Sequence, residues 1–303
     1  MYIKKGSAER VLVKQIQEIV GAKPDGYFGP GTEKKVIAWQ LKQHLVADGI
    51  VGPKTMEVMG LLDTDIEQQH FKTENGLLIH RHYLDKDEYV GSYEITKTKD
   101  PINNDYLFLH HTAGNNNPYK CIDHWNRDKR GRVATEFVLG GPHFQSGNTD
   151  YDGVMVQAFP EGNLGWHLGK TESYYMNRHS VGLEICNFGY LDDNHKNYVG
   201  RKAHPSQVCE LKEPFKRRIF YHKYSDAQLK ATKKLIEYIA DRDNINIDIG
   251  LIDWIKKEGI KAFEFKEEAC KGNVKGLLTH TNVRKDKSDC SPQPEFIDML
   301  LSI

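Results

Sequence analysis

The sequence predicts an α/β domain (α+β in its broadest description), in which a mixed sheet is flanked by helices, preceded by a small all-α module of three helices. Three observations support this prediction. A turn phrase occurs twice in the first sixty-odd residues, strand-like apolar runs alternate with helical segments after residue 77, and the stretch between shows neither pattern. The chain has 303 residues, enough to bury a core. We therefore divide it into a module over 1–64, a linker over 65–76 and a domain over 77–303.

The repeated phrase defines the N-terminal module. Residues 25–32 (DGYFGPGT) are echoed by residues 48–55 (DGIVGPKT), and Asp-Gly and Gly-Pro pairs are turn formers. The Thr that ends each phrase can cap a helix, which predicts helices over about 33–44 and from about 56. Residues 11–20 show the pattern of a further amphipathic helix, which is the first of the three. The apolar stripe predicted for the helix over 33–44 comprises Val36, Ile37, Gln40, Leu41 and Leu45.

The second domain is predicted from alternating strand and helix patterns. Strands are predicted over residues 77–80, 89–95, 106–110, 134–139, 154–159, 181–185 and 276–279. The clearest helix covers 226–242, because Ser225 and Gln228 can form a capping box at its start. Its predicted buried face comprises Leu229, Thr232, Ile236, Ile239 and Ala240. Further helices are predicted over 118–127 and 251–258.

Composition excludes some functional classes. The 42 basic residues equal the 42 acidic residues, which argues against a nucleic-acid partner. The basic stretch 212–223 is interpreted as a solvated loop or edge. No apolar run suits a signal-peptide core or a spanning helix, so we expect a chain made in the cytoplasm without membrane insertion. We also expect a monomer. The five scattered cysteines are expected to be reduced thiols: Cys121, Cys186, Cys209, Cys270 and Cys290.

Two histidines end two of the predicted strands. His110 follows the apolar run YLFL and His280 follows GLLT, where a strand end can hold a side chain rigidly at the rim of a sheet. Asp289 and Cys290 lie in the loop that follows His280. Two imidazoles with one carboxylate or thiolate make a three-ligand Zn²⁺ set that leaves a position open for water. The residues alone do not decide whether Asp289 or Cys290 is the third ligand.

The chain resembles two known families. The doubled phrase, with Trp39-Gln40 between its copies, resembles the peptidoglycan-binding domain 1 family over about residues 5–62, which implies peptidoglycan as a partner. The second domain resembles the amidase 2 family, which includes the peptidoglycan-recognition proteins, and the resemblance implies N-acetylmuramoyl-L-alanine amidase activity. Its motifs follow in family order: FLHHTAG (108–114), VATEFVLGG (133–141), VMVQAFP…GWHLG (154–169), SVGLEICNFG (180–189), YSDAQLKATKKLI (224–236) and THTNVRKDKSD (279–289).

The resemblance implies roles for individual residues. His110 and His280 correspond to the first two zinc ligands. The third is Asp289, which follows Lys287 at the family's Lys-x-Asp spacing, or Cys290, whose other interpretation is a buried neutral thiol. Lys287 corresponds to a lysine that stabilises the oxyanion, or it is an ordinary solvated loop lysine.

Glu184 corresponds to the general base of the bacterial anhydro-muropeptide amidases, which are a branch of the amidase 2 family. The alternative interpretation of Glu184 is a core salt bridge. Another branch of the amidase 2 family uses a catalytic tyrosine, but this sequence has Thr135 at the corresponding position. Glu136, the next residue, is only a second candidate near the substrate. His167 corresponds to a position close to substrate, with a stacked structural histidine as the alternative. Asn187 and Thr112 are predicted to line the pocket.

These expectations favour a phage endolysin, whose release to the cell wall would need a separate holin-type, membrane-permeabilising partner. A bacterial recycling or remodelling amidase is the next interpretation. Two others stay open: a non-catalytic peptidoglycan receptor with the same fold, and a zinc endopeptidase that cuts the stem peptide.

Overall fold

The structure, a computed structural model, describes residues 3–7, 9–61, 70–73, 76–84, 103–129, 133–169, 171 and 174–303. The chain divides into two compact units, residues 1–70 and 71–303. Most of the predicted linker, at 65–69 and 74–75, and the strand predicted over 89–95 lie outside the described residues. Within the described part of the chain, no helix is both long enough and apolar enough to span a membrane.

The first unit contains the three predicted helices. Helix α1 covers Arg10–Val20, α2 covers Pro30–Lys42 and α3 covers Pro53–Val58. They enclose a small core that consists of Ile3, Leu12, Val13, Ile16, Val20, Phe28, Val36, Val51, Met56, Met59 and Leu61. The predicted stripe of α2 is wrong at Leu41, which is 63% exposed. Leu41 lies in the last turn of this short helix, whose buried face carries Val36 and Gln40.

Two glutamines give the repeat its physical basis. The Gln17 side-chain carbonyl accepts a hydrogen bond from Gly26 N–H at 2.9 Å, and its amide donates to the carbonyl oxygen of Tyr27 at 3.0 Å. Gln40 makes the same pair of bonds one repeat later, with Gly49 N–H at 2.9 Å and the Ile50 carbonyl at 2.9 Å. Each glutamine also donates to the Asp and the Thr of its own phrase. The repeat therefore begins at a helical glutamine, eight residues before the Asp-Gly pair.

Replacing Gln40 by leucine should destabilise this module. The substitution leaves the Gly49 N–H and the Ile50 carbonyl without their buried partner, which costs about 1–3 kcal/mol. We expect faster amide hydrogen exchange over residues 9–61 of the full chain, measured by mass spectrometry. The exposed Gln43 of the same helix end supplies the control, Gln43→Leu, which should leave exchange unchanged. Equal exchange rates in the two variants would contradict the structural role of Gln40.

The second unit is built on a seven-stranded sheet with the spatial order β1-β2-β5-β4-β6-β3-β9. The strands are β1 (His70–Lys72), β2 (Leu78–Arg81), β3 (Tyr106–His111), β4 (Phe137–Leu139), β5 (Met155–Gln157), β6 (Ser180–Ile185) and β9 (Gly276–Thr279). Strand β4 pairs with β5 antiparallel, whereas β3 pairs with β6 and β9 parallel. The predicted mixed sheet is confirmed.

A two-stranded hairpin lies outside the seven-stranded sheet. Strands β7 (Val208–Phe215) and β8 (Arg218–His222) pair antiparallel and include most of the basic stretch 212–223. The basic side chains at its tip, Lys216, Arg217 and Arg218, are exposed. The stretch is thus an ordered hairpin with a solvated basic tip.

Helices pack against the sheet. They are α4 (Pro118–Asn126), α5 (Tyr174–Arg178), α6 (Asp226–Asp243), α7 (Leu251–Glu258), α8 (Glu267–Cys270), α9 (His280–Val283) and α10 (Pro294–Leu301). The predicted capping box at Ser225 and Gln228 is present at the start of α6. The buried face of α6 packs on one side of the sheet, with Leu235 and Ile239 fully buried in the main core.

Candidate metal centre and active site

The site lies where parallel strands end. Strand β3 is flanked by β6 and β9, and all three run in the same direction, so their carboxyl ends share one edge of the sheet. Leu109 of β3 is paired with Thr279 of β9, which places the next residues, His110 and His280, side by side. His111 points to the opposite face, because side chains alternate along a strand. Its Nδ1 lies 3.4 Å from the hydroxyl oxygen of Tyr224.

Three donor atoms converge at this edge. Nδ1 of His110 lies 3.1 Å from Nδ1 of His280 and 3.3 Å from Oδ2 of Asp289. Nδ1 of His280 is 3.1 Å from the same carboxylate oxygen. All three residues are buried, and within the described part of the chain they form the one His, Cys, Asp or Glu cluster close enough to share a metal ion.

The donor set fits Zn²⁺. Tetrahedral zinc with bonds of about 2.0–2.1 Å places its ligand atoms about 3.3 Å apart, close to the three separations in this cluster. Lone pairs held this close repel one another unless a cation or a shared proton lies between them. Two imidazoles with one carboxylate are also a common ligand set of hydrolytic zinc, and they leave a fourth position open. The geometry therefore defines a candidate metal site.

Local electrostatics shift the pKa values of two of the three donors, His110 and Asp289. Burial lowers the pKa of His110 to about 4, so its ring is neutral at neutral pH. Burial alone raises the pKa of Asp289, but the charge of His280 and hydrogen bonds from both histidines hold that pKa well below its ordinary value. A neutral imidazole and an ionised carboxylate are the forms in which these two residues would bind a metal.

Glu184 lies beside the donors. It is paired in register with His110 on the neighbouring strand β6, so both side chains project from the same face of the sheet. Its carboxylate makes no hydrogen bond or ion pair with any described residue, and the residue is half-buried. Burial raises the pKa of Glu184 well above its ordinary value; the negative Asp289 raises it further, and the Lys287 ammonium opposes both. Such a carboxylate suits proton transfer near neutral pH.

Lys287 lies in the loop between His280 and Asp289. Its backbone N–H donates to the Arg284 carbonyl at 3.4 Å, and its side chain is half-buried. The positive charge of Lys287 lowers the pKa of both His110 and Glu184. Its ammonium therefore acts electrostatically on His110 and Glu184.

Cys290 lies outside the donor cluster. Its side chain is fully buried in the main core, and burial raises the pKa of its thiol well above the ordinary value. Because adjacent residues direct their side chains differently, Asp289 reaches the two histidines and Cys290 contacts the Tyr224 region. This placement corresponds to the buried neutral thiol that the sequence left open.

Two predicted pocket residues hold loops together. Asn187 is fully buried; its amide donates to the His222 carbonyl at 3.0 Å, and its side-chain oxygen accepts from Gly189 N–H at 2.7 Å. The Thr112 hydroxyl accepts from the N–H groups of Gly114 and Asn187 at 3.1 and 3.2 Å. A buried Asn187 is not accessible to a substrate, so its predicted contact is replaced by a structural role.

Glu136 also has a structural role. It is 5% exposed, and its carboxylate accepts two hydrogen bonds from the Arg242 guanidinium, at 2.7 and 3.1 Å. The Gln157 amide donates to it at 2.9 Å, and Asp243 accepts from the other side of the guanidinium at 2.6 Å. This network gives Glu136 a structural role, and its contact with substrate stays a prediction.

Breaking this network should destabilise the second unit without affecting the donors. Arg242→Met leaves Glu136 and Asp243 buried without their cation, and we expect a loss of about 3–5 kcal/mol in the free energy of unfolding. Urea unfolding of the full chain, followed by circular dichroism, measures the loss. Arg201→Met, at an exposed arginine, is the control and should change stability by less than about 0.5 kcal/mol. A loss for Arg242→Met no larger than for the control would contradict the prediction.

His167 lies behind the donor cluster. Its ring is 8% exposed, and its Nδ1 is 2.9 Å from Nε2 of His110. Sequence reasoning missed three groups around the two histidine ligands and His167. The Ser180 hydroxyl lies 2.8 Å from Nε2 of His167, the Leu168 carbonyl lies 3.3 Å from Nε2 of His280, and the Arg284 guanidinium donates to that carbonyl. A backbone carbonyl has no sequence signal, and a serine or arginine is too common to stand out.

Two histidines at the ends of parallel strands, an aspartate in the loop that follows one of them and a neighbouring glutamate together define a candidate metallohydrolase. Residues 98–289 match the N-acetylmuramoyl-L-alanine amidase family, and the chain belongs to that family. Residues 12–59 match a putative peptidoglycan binding domain. Both resemblances predicted from the sequence are confirmed.

Several solved structures are similar to the chain. The structure of PlyL has 11% identity and a TM-score of 0.35, with 69% of this chain and 85% of PlyL covered. The amidase LysC from Clostridium intestinale URNW has 17% identity and a TM-score of 0.35, with coverage of 71% and 97%. A selenomethionine derivative of AmpD has 15% identity and a TM-score of 0.39, with coverage of 76% and 99%. Comparison with curated proteins finds no match.

Proposed function

We propose that this protein is a zinc-dependent N-acetylmuramoyl-L-alanine amidase that hydrolyses the amide bond between N-acetylmuramic acid and L-alanine of the peptidoglycan stem peptide. The observation that carries the proposal is the convergence of His110, His280 and Asp289 beside Glu184, in a chain of this amidase family. The N-terminal module would hold the enzyme on its polymeric substrate.

The residues divide the chemistry among themselves. His110, His280 and Asp289 would hold the zinc ion. When bound, zinc supplies a Lewis acid that lowers the pKa of water and polarises a carbonyl group. Glu184 takes the proton from the attacking water and returns it to the departing nitrogen of L-alanine. Lys287 places its ammonium near the carbonyl oxygen, where negative charge develops as the water oxygen adds to the carbon.

The decisive experiment identifies the products. Purified protein is incubated with bare sacculi, with and without a chelator, and the soluble material is analysed by mass spectrometry. We expect free stem peptides that begin with L-alanine, lost on chelation and restored by added zinc. Binding to sacculi without released product would contradict the proposal and indicate a recognition protein, whereas cleavage within the stem peptide would indicate an endopeptidase.

We propose further that the enzyme is a phage endolysin, made in the cytoplasm and released to the wall by a holin-type partner. A wall-binding module joined to an amidase supports this role. Expression in a bacterial host should leave cells intact until the membrane is permeabilised, and culture turbidity should then fall rapidly. The host must be one whose isolated sacculi the protein cleaves. If the turbidity of such cells does not fall after their membrane is permeabilised, the result would argue against the lytic role.

A further inference from the structure

One short segment contacts both histidines of the donor cluster from behind. The segment is Trp166–Leu168, in the loop after β5. Nε2 of His110 lies 2.9 Å from the ring nitrogen Nδ1 of His167. Nε2 of His280 lies 3.3 Å from the carbonyl oxygen of Leu168. The nitrogen of each ring that faces away from the cluster therefore has a partner in this segment.

These contacts allow one arrangement of protons when the cluster holds a cation. Nδ1 of both ligand histidines must then be unprotonated, so each ring carries its proton on Nε2. His110 donates from Nε2 to Nδ1 of His167, which must itself be protonated at Nε2. That second nitrogen lies 2.8 Å from the hydroxyl oxygen of Ser180 and donates to it. His280 donates to the Leu168 carbonyl, which also accepts from the Arg284 guanidinium at 3.1 Å.

The segment is itself held firmly. The backbone N–H of Leu168 donates to the Asn177 side-chain oxygen at 3.1 Å, and the Asn177 amide donates to the Gly169 carbonyl at 3.1 Å. A methyl group at Gly182 of β6 would come within 3.0 Å of the His167 ring, so only glycine leaves room for that ring. The partners of both ligand histidines are thus themselves held in place by hydrogen bonds and close packing.

We propose that Trp166–Leu168 is a positioning element for the metal, in which His167 fixes the tautomer and orientation of His110 and the Leu168 carbonyl does the same for His280. His167 is therefore a positioning residue rather than the substrate contact that the sequence suggested. The inference rests on the proposed function in one respect only, namely that the donor cluster binds zinc. Partners of this kind typically change metal affinity by about 10- to 100-fold.

Three substitutions separate this role from a packing role. His167→Phe keeps a ring of similar size but removes the acceptor, and we expect the zinc dissociation constant of the full chain to rise about 10- to 100-fold. His167→Asn keeps an acceptor near the position of Nδ1 and should stay within a few-fold of the native affinity. The control is His222→Phe, because His222 is a buried histidine whose ring nitrogens bond to Phe188 and Gln207 instead. It should lower thermal stability without changing zinc affinity.

Zinc affinity is measured by competition with a chromophoric chelator, and the melting temperature of each zinc-free variant is recorded beside it. Native affinity in His167→Phe, or equal losses in His167→Phe and His167→Asn, would overturn the inference. Failure of the native chain to bind zinc would instead contradict the proposed metal-dependent function. Amidase activity enters neither comparison.

A measurement on the native chain does not depend on whether any variant folds. Two-bond ¹H–¹⁵N spectra of the zinc-loaded, ¹⁵N-labelled protein distinguish the two histidine tautomers. We expect His110 and His280 to be bound to metal through Nδ1 and protonated at Nε2, and His167 to be protonated at Nε2. Metal bound through Nε2 of His110, or a proton on Nδ1 of His167, would overturn the inference.

Discussion

Replacing Asp289 by alanine should lower amidase activity by about 10³-fold or more, because loss of the metal removes several kcal/mol of transition-state stabilisation. Asp289 supplies the carboxylate oxygen that lies 3.1 Å from Nδ1 of His280, and removing it leaves two imidazoles to hold the ion. Zinc content, measured by plasma emission spectrometry after gel filtration, should fall with activity. Asp298→Ala, at an exposed aspartate of α10, is the control and should keep both.

The variant Cys290→Ser, measured in the same way, decides whether Asp289 or Cys290 is the third ligand. Cys290 is buried in the core away from the donors, so this variant should keep its zinc and most of its activity, with a modest loss of stability. Zinc lost in Cys290→Ser but kept in Asp289→Ala would reverse the assignment.

Glu184→Gln should lower kcat by about 10²- to 10⁴-fold while zinc content stays at the native level. The substitution preserves the shape of the side chain but removes the proton acceptor that lies in register beside His110. Steady-state rates on a soluble muropeptide, with zinc analysis of the same samples, measure both quantities. Since no described residue pairs with the Glu184 carboxylate, the folding stability should hardly change.

Glu136→Gln is the matched control, because Glu136 is the other glutamate that the sequence placed near the site. Its carboxylate pairs with Arg242, so the substitution should lower stability and leave kcat of the folded enzyme near the native value. A large loss of kcat in Glu136→Gln with native kcat in Glu184→Gln would exchange the two roles.

Local patterns predicted most of the fold. Apolar runs gave the positions of β3, β6 and β9, and the capping pair marked the start of α6 at Asp226. The hairpin β7–β8 was missed because its outward side chains are charged and Pro214 interrupts its strand pattern. Gln17 was missed for a different reason: its partners lie 8 to 15 residues away, beyond what helical periodicity reports.

The candidate site shows where sequence reasoning stops. The ends of two apolar strands placed His110 and His280 at one sheet edge, since parallel neighbours end together. The roles of Glu136 and His167 could not be predicted, because their partners depend on contacts with distant parts of the chain: Arg242 is 106 residues from Glu136, and His110 is 57 from His167. The choice between Asp289 and Cys290 depends on side-chain direction in a loop, which spacing does not encode.

The donor cluster joins parts of the chain that are 170 residues apart, from His110 to His280. An ion held there would act as a reversible cross-link between the ends of the edge strand β9 and its neighbour β3. Each tenfold rise in free metal above the dissociation constant would add about 1.4 kcal/mol to the folded state. The protein's resistance to proteases would then follow the free metal concentration around it, so that depletion of metal would shorten the lifetime of the enzyme as well as stop its turnover.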